Sequence, residues 1–230
     1  VIETVGLTKS FGDRLVTDDV TVTFPAGAVT ALLGLNGAGK TTLLRLLAGL
    51  IRPDGGTVTV CGRRPGGDPR LLSLHLGPDA MDARHTVRRH MAWLAALSGV
   101  DAARVDAVLH DTGLDTHRDR RIGRLSLGAR QRVAIASALL ADPQAVLFDE
   151  PLNGLDVPGI VWFRSLLRDL AQRGRTVVVA THLLSEVALT ADHIALLADG
   201  RLRATGGLDE LRPAGVDTRE WLESTLLECA

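Results

Sequence analysis

Gly34-Leu35-Asn36-Gly37-Ala38-Gly39-Lys40-Thr41 fits the phosphate-loop pattern G-x-x-x-x-G-K-[ST], and its flanks are the ones that pattern needs. Residues 28–33 before it, Ala-Val-Thr-Ala-Leu-Leu, are apolar and partly β-branched, which predicts a buried strand. Residues 42–50 after it are rich in helix formers and run into Gly49, which predicts a helix. A strand feeding a glycine-rich turn into a helix N-terminus makes an anion site. Glycines let backbone N–H groups converge on phosphate oxygens, and the helix dipole adds to the attraction. The expected contacts with a nucleoside triphosphate run through Gly34, Leu35, Asn36, Gly37, Ala38, Gly39, Lys40, Thr41 and Thr42. Lys40 is expected to reach the β- and γ-phosphates, and the Thr41 hydroxyl to ligate Mg²⁺.

The remaining composition narrows the class around this site. The chain has 230 residues, room for one large α/β domain with a smaller inserted lobe, and 46% hydrophobic residues to build its core. A net charge of -1 argues against a polyanion-binding protein, so no nucleic-acid partner is expected. Cys61 and Cys229 stand far apart, outside any metal-ligand spacing, and predict a reduced, intracellular protein. No run is long enough to cross a bilayer. If the chain serves a membrane process, it is expected to do so from the cytoplasmic face, through a partner.

Organisation follows from the pattern of apolar residues. Residues 2–7, 20–24 and 57–60 predict short strands separated by Gly, Pro and Asp. Residues 87–140 turn helical, with Val87, Met91, Leu94 and Leu97 recurring at spacings of three and four. Residues 101–109 and the stretch from Leu125 onward predict two further helices. The last third alternates strand and helix at 145–148, 157–170, 176–180, 183–189 and 194–198, which predicts a parallel sheet covered by helices. A single domain over 1–230 is expected: a core of about 1–80 and 145–215, a helical subdomain of about 81–144, and a tail of 216–230. Within that core, residues 145–148 lead into Asp149 and Glu150. Asp149 at the strand tip is suited to the Mg²⁺ shell, and Glu150 to polarising the attacking water. A solvated strand-ending acid pair is the plain alternative.

The order of these motifs resembles that of ATP-binding cassette (ABC) transporter ATPases, over nearly the whole chain. Leu125-Ser126-Leu127-Gly128-Ala129, followed by Arg130-Gln131-Arg132, stands where that family carries its LSGGQ signature. Pro151-Leu152-Asn153-Gly154-Leu155-Asp156 resembles the family's D-loop, and His182 occupies the place of its switch histidine. Phe11, in Lys9-Ser10-Phe11-Gly12, matches the aromatic that stacks on adenine. The resemblance implies an α/β fold: a P-loop NTPase core with an N-terminal antiparallel β subdomain and an inserted α-helical signature subdomain. It also implies a head-to-tail dimer, of identical chains in the simplest case, with ATP and Mg²⁺ between the phosphate loop of one subunit and Ser126, Leu127 and Gly128 of the other. Glu150, His182 and Lys40 would carry catalysis, and Asp156 would couple the two sites. The implied function is ATP hydrolysis coupled to transport by a separate integral membrane permease. Each motif also has an ordinary reading: Ser126 and Asp156 as helix N-caps, His182 as a surface residue, Phe11 as loop packing.

Two departures from the family bear on activity. Asp79, in Leu76-Gly77-Pro78-Asp79, stands where the family places a glutamine near Mg²⁺; as a metal ligand it adds negative charge and predicts slower hydrolysis. Leu127 and Ala129 replace a Gly and the Gln of the signature, a variant similar to that of ATPases serving ABC-2 exporters of the bacitracin-resistance and lantibiotic-immunity kind. Met91 and Trp93 belong either to the helical core or to the groove that receives a permease. Arg118, Arg120, Arg121 and Arg124 read as a solvated basic loop. Rival functions are a soluble cassette acting on ribosomes, DNA or iron–sulfur assembly, and a weakly hydrolysing regulatory subunit.

Overall fold

A computed structural model describes residues 1–228; Cys229 and the end of the expected tail lie outside them. The chain runs β1 (Ile2–Phe11), β2 (Arg14–Phe24), β3 (Ala28–Leu33), α1 (Lys40–Leu47), β4 (Gly55–Val60), β5 (Leu72–His75), α2 (Val87–Leu97), α3 (Ala103–Asp111), α4 (Leu127–Leu139), β6 (Ala145–Asp149), α5 (Val157–Gln172), β7 (Thr176–Ala180), α6 (Leu184–Thr190), β8 (His193–Ala198), β9 (Arg201–Gly207), α7 (Leu208–Leu211) and α8 (Thr218–Glu228).

Two sheets organise these elements. The first is antiparallel, in the order β2-β1-β4, and buries one face: Val20, Val22 and Phe24 of β2 point inward while the alternating Asp19, Thr21 and Thr23 face water. The second has six strands in the order β5-β6-β7-β3-β8-β9, parallel except for the edge strand β9. Every residue of β3 and β7 is buried, as a parallel sheet covered on both faces requires. The strands β3, β6, β7 and β8 match their expected positions closely. Strands β1 and β2 extend further than the apolar pattern predicted, because the residues flanking their shared turn are half-buried or exposed and show no apolar alternation.

Helix α1 fills the space between the sheets. Leu43, Leu44, Leu46 and Leu47 are all at most 1% exposed and pack with Ile2, Leu7 and Phe24 on one side and Leu32 and Leu147 on the other. An isolated eight-residue helix is unstable in water. At about 1.5–3 kcal/mol per buried Leu, those side chains contribute a gross 6–12 kcal/mol, roughly, that holds α1 in place. It begins two residues earlier than predicted, since the last turn of the phosphate loop is its first helical turn.

Helices α4 and α5 cover the opposite face of the large sheet through Ile135, Leu139, Phe163 and Leu167. A helical lobe of α2, α3 and α4 has its own core around Val87, Met91, Leu109 and Val133. Helix α4 thus belongs to both bodies. Helix α8, within the segment expected as a tail, buries Leu222 against Val187 and Leu196. Among the described residues no helix is long and apolar enough to cross a membrane.

Candidate active site

The phosphate loop is held between two strands by contacts that exclude any side chain. At Gly34 (φ 153) a Cβ would fall on the Leu197 carbonyl of β8, and at Gly39 (φ 102) it would lie 2.6 Å from the Val16 carbonyl of β2. Gly37 differs: its φ is 86, but only the Arg14 guanidinium comes near, 3.9 Å away. No side chain caps the N-terminus of α1, so its first N–H groups are available to an anion. Lys40 is buried beneath the loop, and its ammonium donates to the Gly34 carbonyl at 2.7 Å and the Leu35 carbonyl at 3.2 Å. Burial lowers its pKa, against the opposing pull of the Glu150 and Asp149 carboxylates.

Those carboxylates arrive on β6. Its register places Asp149 opposite Ala180 at the C-terminal edge of the sheet, where loops of parallel sheets meet ligands. The Thr41 hydroxyl donates to Asp149 Oδ2 at 2.8 Å. This pair of hard oxygen donors suits Mg²⁺, which takes one or two protein ligands and completes its shell with phosphates and waters. Among the described residues no cluster of three or more His, Cys, Asp or Glu is placed to hold a metal ion. Glu150 follows in a left-handed backbone conformation, φ 45, unusual for a residue with a side chain. Its Oε2 lies 2.9 Å from His182 Nδ1, the histidine just beyond β7. Asn36, Gly37, Gly39, Lys40, Thr41, Thr42, Asp149 and Glu150 thus share one open groove of ≈ 370 Å³.

A second hollow, of ≈ 490 Å³, opens elsewhere on the chain around Ser126, Leu127, Gly128, Ala129, Gly154, Leu155 and Asp156. Ser126 caps α4 by accepting from Ala129 N–H at 3.2 Å, and Asp156 caps α5 by accepting from Gly159 N–H at 2.9 Å. Both ordinary readings are therefore met, and both residues also face the hollow. Gln131 is buried and donates to the Pro151 carbonyl at 2.7 Å, tying the signature helix to the loop after Glu150. The two hollows have no lining residue in common.

Other expected residues separate. Phe11 is half-exposed at the tip of the β1–β2 hairpin, with the Lys9 ammonium 5.5 Å from its ring centre. Ala38 is buried under the loop and Leu35 faces out. Asp79 stands apart: it is exposed on the single turn after β5 and is not among the residues lining the groove. Gly77 (φ 80) and Pro78 turn the chain before Asp79 is reached, and the place that the resemblance gives Asp79 does not bring its carboxylate into the groove lining. Met91 lies in the helical core, whereas Trp93 is 52% exposed beside His90. Arg118 pairs with Asp115 at 2.7 Å, while Arg120, Arg121 and Arg124 are exposed. The sequence reading missed Arg14 and Val16, which also line the groove. Recognising Gly12-Asp13 as a two-residue hairpin turn would have set Arg14 opposite Phe11.

Comparison with known proteins agrees with this geometry. The sequence pattern of the ABC transporter family matches residues 17–153. A Nod factor export ATP-binding protein I of Rhizobium sp. (strain N33) is 36% identical over 215 residues, covering 89% of this chain and 70% of the relative. The bacitracin transport ATP-binding protein BcrA of Bacillus licheniformis is 33% identical over 232 residues, covering 98% of this chain and 75% of the relative. Among solved structures, an ATP-binding subunit of an ABC transporter superposes with a TM-score of 0.88 at 27% identity, over 98% of this chain and 99% of that one. A cassette in a dimeric post-hydrolysis state with ADP and Pi shares the fold, with a TM-score of 0.81 at 22% identity over 93% and 100% of the two chains. With the family pattern spanning more than half its length and the fold matched end to end, the chain belongs to the ABC transporter family as an ATP-binding, ATP-hydrolysing cassette.

Proposed function

We propose that two copies of this chain clasp ATP between them and use its hydrolysis to drive export through an integral membrane permease at the cytoplasmic face. The observation that carries this is the division of the site. One hollow has a lysine, a metal-type oxygen pair and a carboxylate; the other has a helix N-terminus with a serine hydroxyl; neither alone has both. A head-to-tail pair would bring the Ser126 end of α4 from one copy to the γ-phosphate lying in the loop of its mate. Export as the direction rests on the printed roles of relatives in Nod factor export and bacitracin transport.

Within each site, Lys40 and the N–H groups of residues 34–42 hold the phosphates. Thr41 and Asp149 would hold Mg²⁺, which when bound offsets the negative charge of the β- and γ-phosphates. Glu150 accepts a proton from the water that attacks the γ-phosphorus; the bond to the bridging oxygen breaks, leaving ADP and phosphate. With His182 Nδ1 engaged by Glu150, its Nε2 is the nitrogen left to face the γ-phosphate. Asp156, beside Ser126, would transmit closure from one site to the other.

Replacing Ser126 tests the division. Ser126→Arg is expected to keep Mg·ATP affinity within about twofold and to abolish turnover. Full turnover, or lost ATP binding of the kind expected for Lys40→Ala, would contradict the two-copy site.

A further inference from the structure

The β1–β2 hairpin ends in a two-residue turn, Gly12-Asp13, with Gly12 at φ 58. Phe11 and Arg14 are partners across that turn, so their side chains are carried by one rigid tip. Arg14 lines the phosphate groove, and its guanidinium lies 3.9 Å from the point where a Cβ on Gly37 would stand. Among the described residues it makes no ion pair and no side-chain hydrogen bond. The acid beside the hairpin, Asp54, is taken by the Lys9 ammonium and the Ser10 N–H, both at 2.7 Å. The other cation of the groove, Lys40, is buried beneath the loop and donates to two of its carbonyls, which leaves one N–H for a phosphate. Arg14 is thus an exposed, uncommitted guanidinium facing a loop built to receive phosphate. Its planar fork of N–H donors matches phosphate oxygens and stays charged at any working pH.

We propose that Arg14 is a further phosphate-binding residue, closing the open side of the loop above Gly37 on the phosphate chain of a bound nucleotide. The hairpin tip then holds both ends of that nucleotide, the base on Phe11 and the phosphates on Arg14. This rests on the nucleotide site proposed above and adds a residue to it.

The test is titration of the chain with Mg·ATP, comparing the parent with Arg14→Ala, Arg14→Gln and Lys40→Ala. Arg14→Ala is expected to weaken ATP binding about tenfold, the scale of one lost charge-assisted contact. Arg14→Gln, which keeps a polar stem without the charge, should lose about as much. In 0.5 M salt the difference from the parent should shrink, since an exposed charge is screened there. Melting of the nucleotide-free chain should stay within about 1 °C, because the guanidinium has no hydrogen-bond or ion-pair partner among the described residues. Full ATP affinity in either Arg14 variant overturns the proposal, as does a melting loss large enough to make Arg14 a structural residue. If Lys40→Ala binds ATP like the parent, the nucleotide site itself is wrong. If Lys40→Ala fails to bind while Arg14→Ala is unchanged, only the role of Arg14 falls.

Discussion

Gly37 and Gly39 sit two residues apart in the same loop, both at positive φ, yet alanine should affect them very differently. At either position alanine must adopt a backbone that L residues avoid, at a cost of about 1–3 kcal/mol. Restriction of the unfolded chain favours both variants alike and drops out of their difference. What separates them is space. A methyl at Gly39 would meet the Val16 carbonyl at 2.6 Å, a backbone atom of β2 that cannot rotate away. At Gly37 the nearest atom is the end of the Arg14 side chain, 3.9 Å away. Overpacking against a fixed group costs a further 1–3 kcal/mol, roughly. At about 2–4 °C per kcal/mol for a chain of this size, Gly39→Ala should melt about 2–12 °C below Gly37→Ala. Thermal unfolding of the two nucleotide-free variants, followed by circular dichroism, measures this difference directly. Equal melting, or a lower value for Gly37→Ala, would refute the idea that β2 clamps the loop at Gly39.

Two other perturbations have worked directions. His75 is buried at the end of β5, 6.0 Å from the Phe148 ring, and burial lowers its pKa to about 4 from 6.5. The unfolded chain therefore takes up a proton before the folded one does, so stability present above pH 6.5 is lost as pH falls toward 4. The loss is about 3 kcal/mol from this residue, and denaturant midpoints of the parent should fall more over that range than those of His75→Leu. For the metal, Asp149→Asn should raise the Mg²⁺ concentration for half-maximal turnover at least tenfold, roughly the cost of a charged oxygen ligand. Asp79→Asn should move it less than about twofold, as expected of an exposed side chain away from the groove; the reverse order would restore Asp79 to the metal shell.

Much of the core could be anticipated because its signals are local and redundant. The strand at Ala28–Leu33, the glycine loop and α1 are contiguous, and each predicts the next. The acid pair after β6 was readable because a fully apolar run ends there. Misses came where register decides which way a side chain points. Asp79 was placed by the motif order of the family it resembles, but a glycine at positive φ and a proline precede it and its side chain does not line the groove. Met91 and Trp93 were considered together, though residues two apart on a helix face different ways, and one is buried while the other is exposed. Arg14 emerges only when the hairpin places it across from Phe11. Strand β9, whose side chains alternate between half-buried and exposed at a sheet edge, carries too few apolar residues to announce itself.

The central claim is that ATP joins two copies of the chain. Glu150→Gln removes the proposed proton acceptor while leaving Lys40, Thr41 and Asp149, the residues proposed to hold the nucleotide and its metal. Light scattering of that variant with saturating Mg·ATP should give twice the 24.4 kDa mass of one chain, and the single-chain mass once ATP is removed. A single-chain mass in the presence of bound ATP would contradict the account.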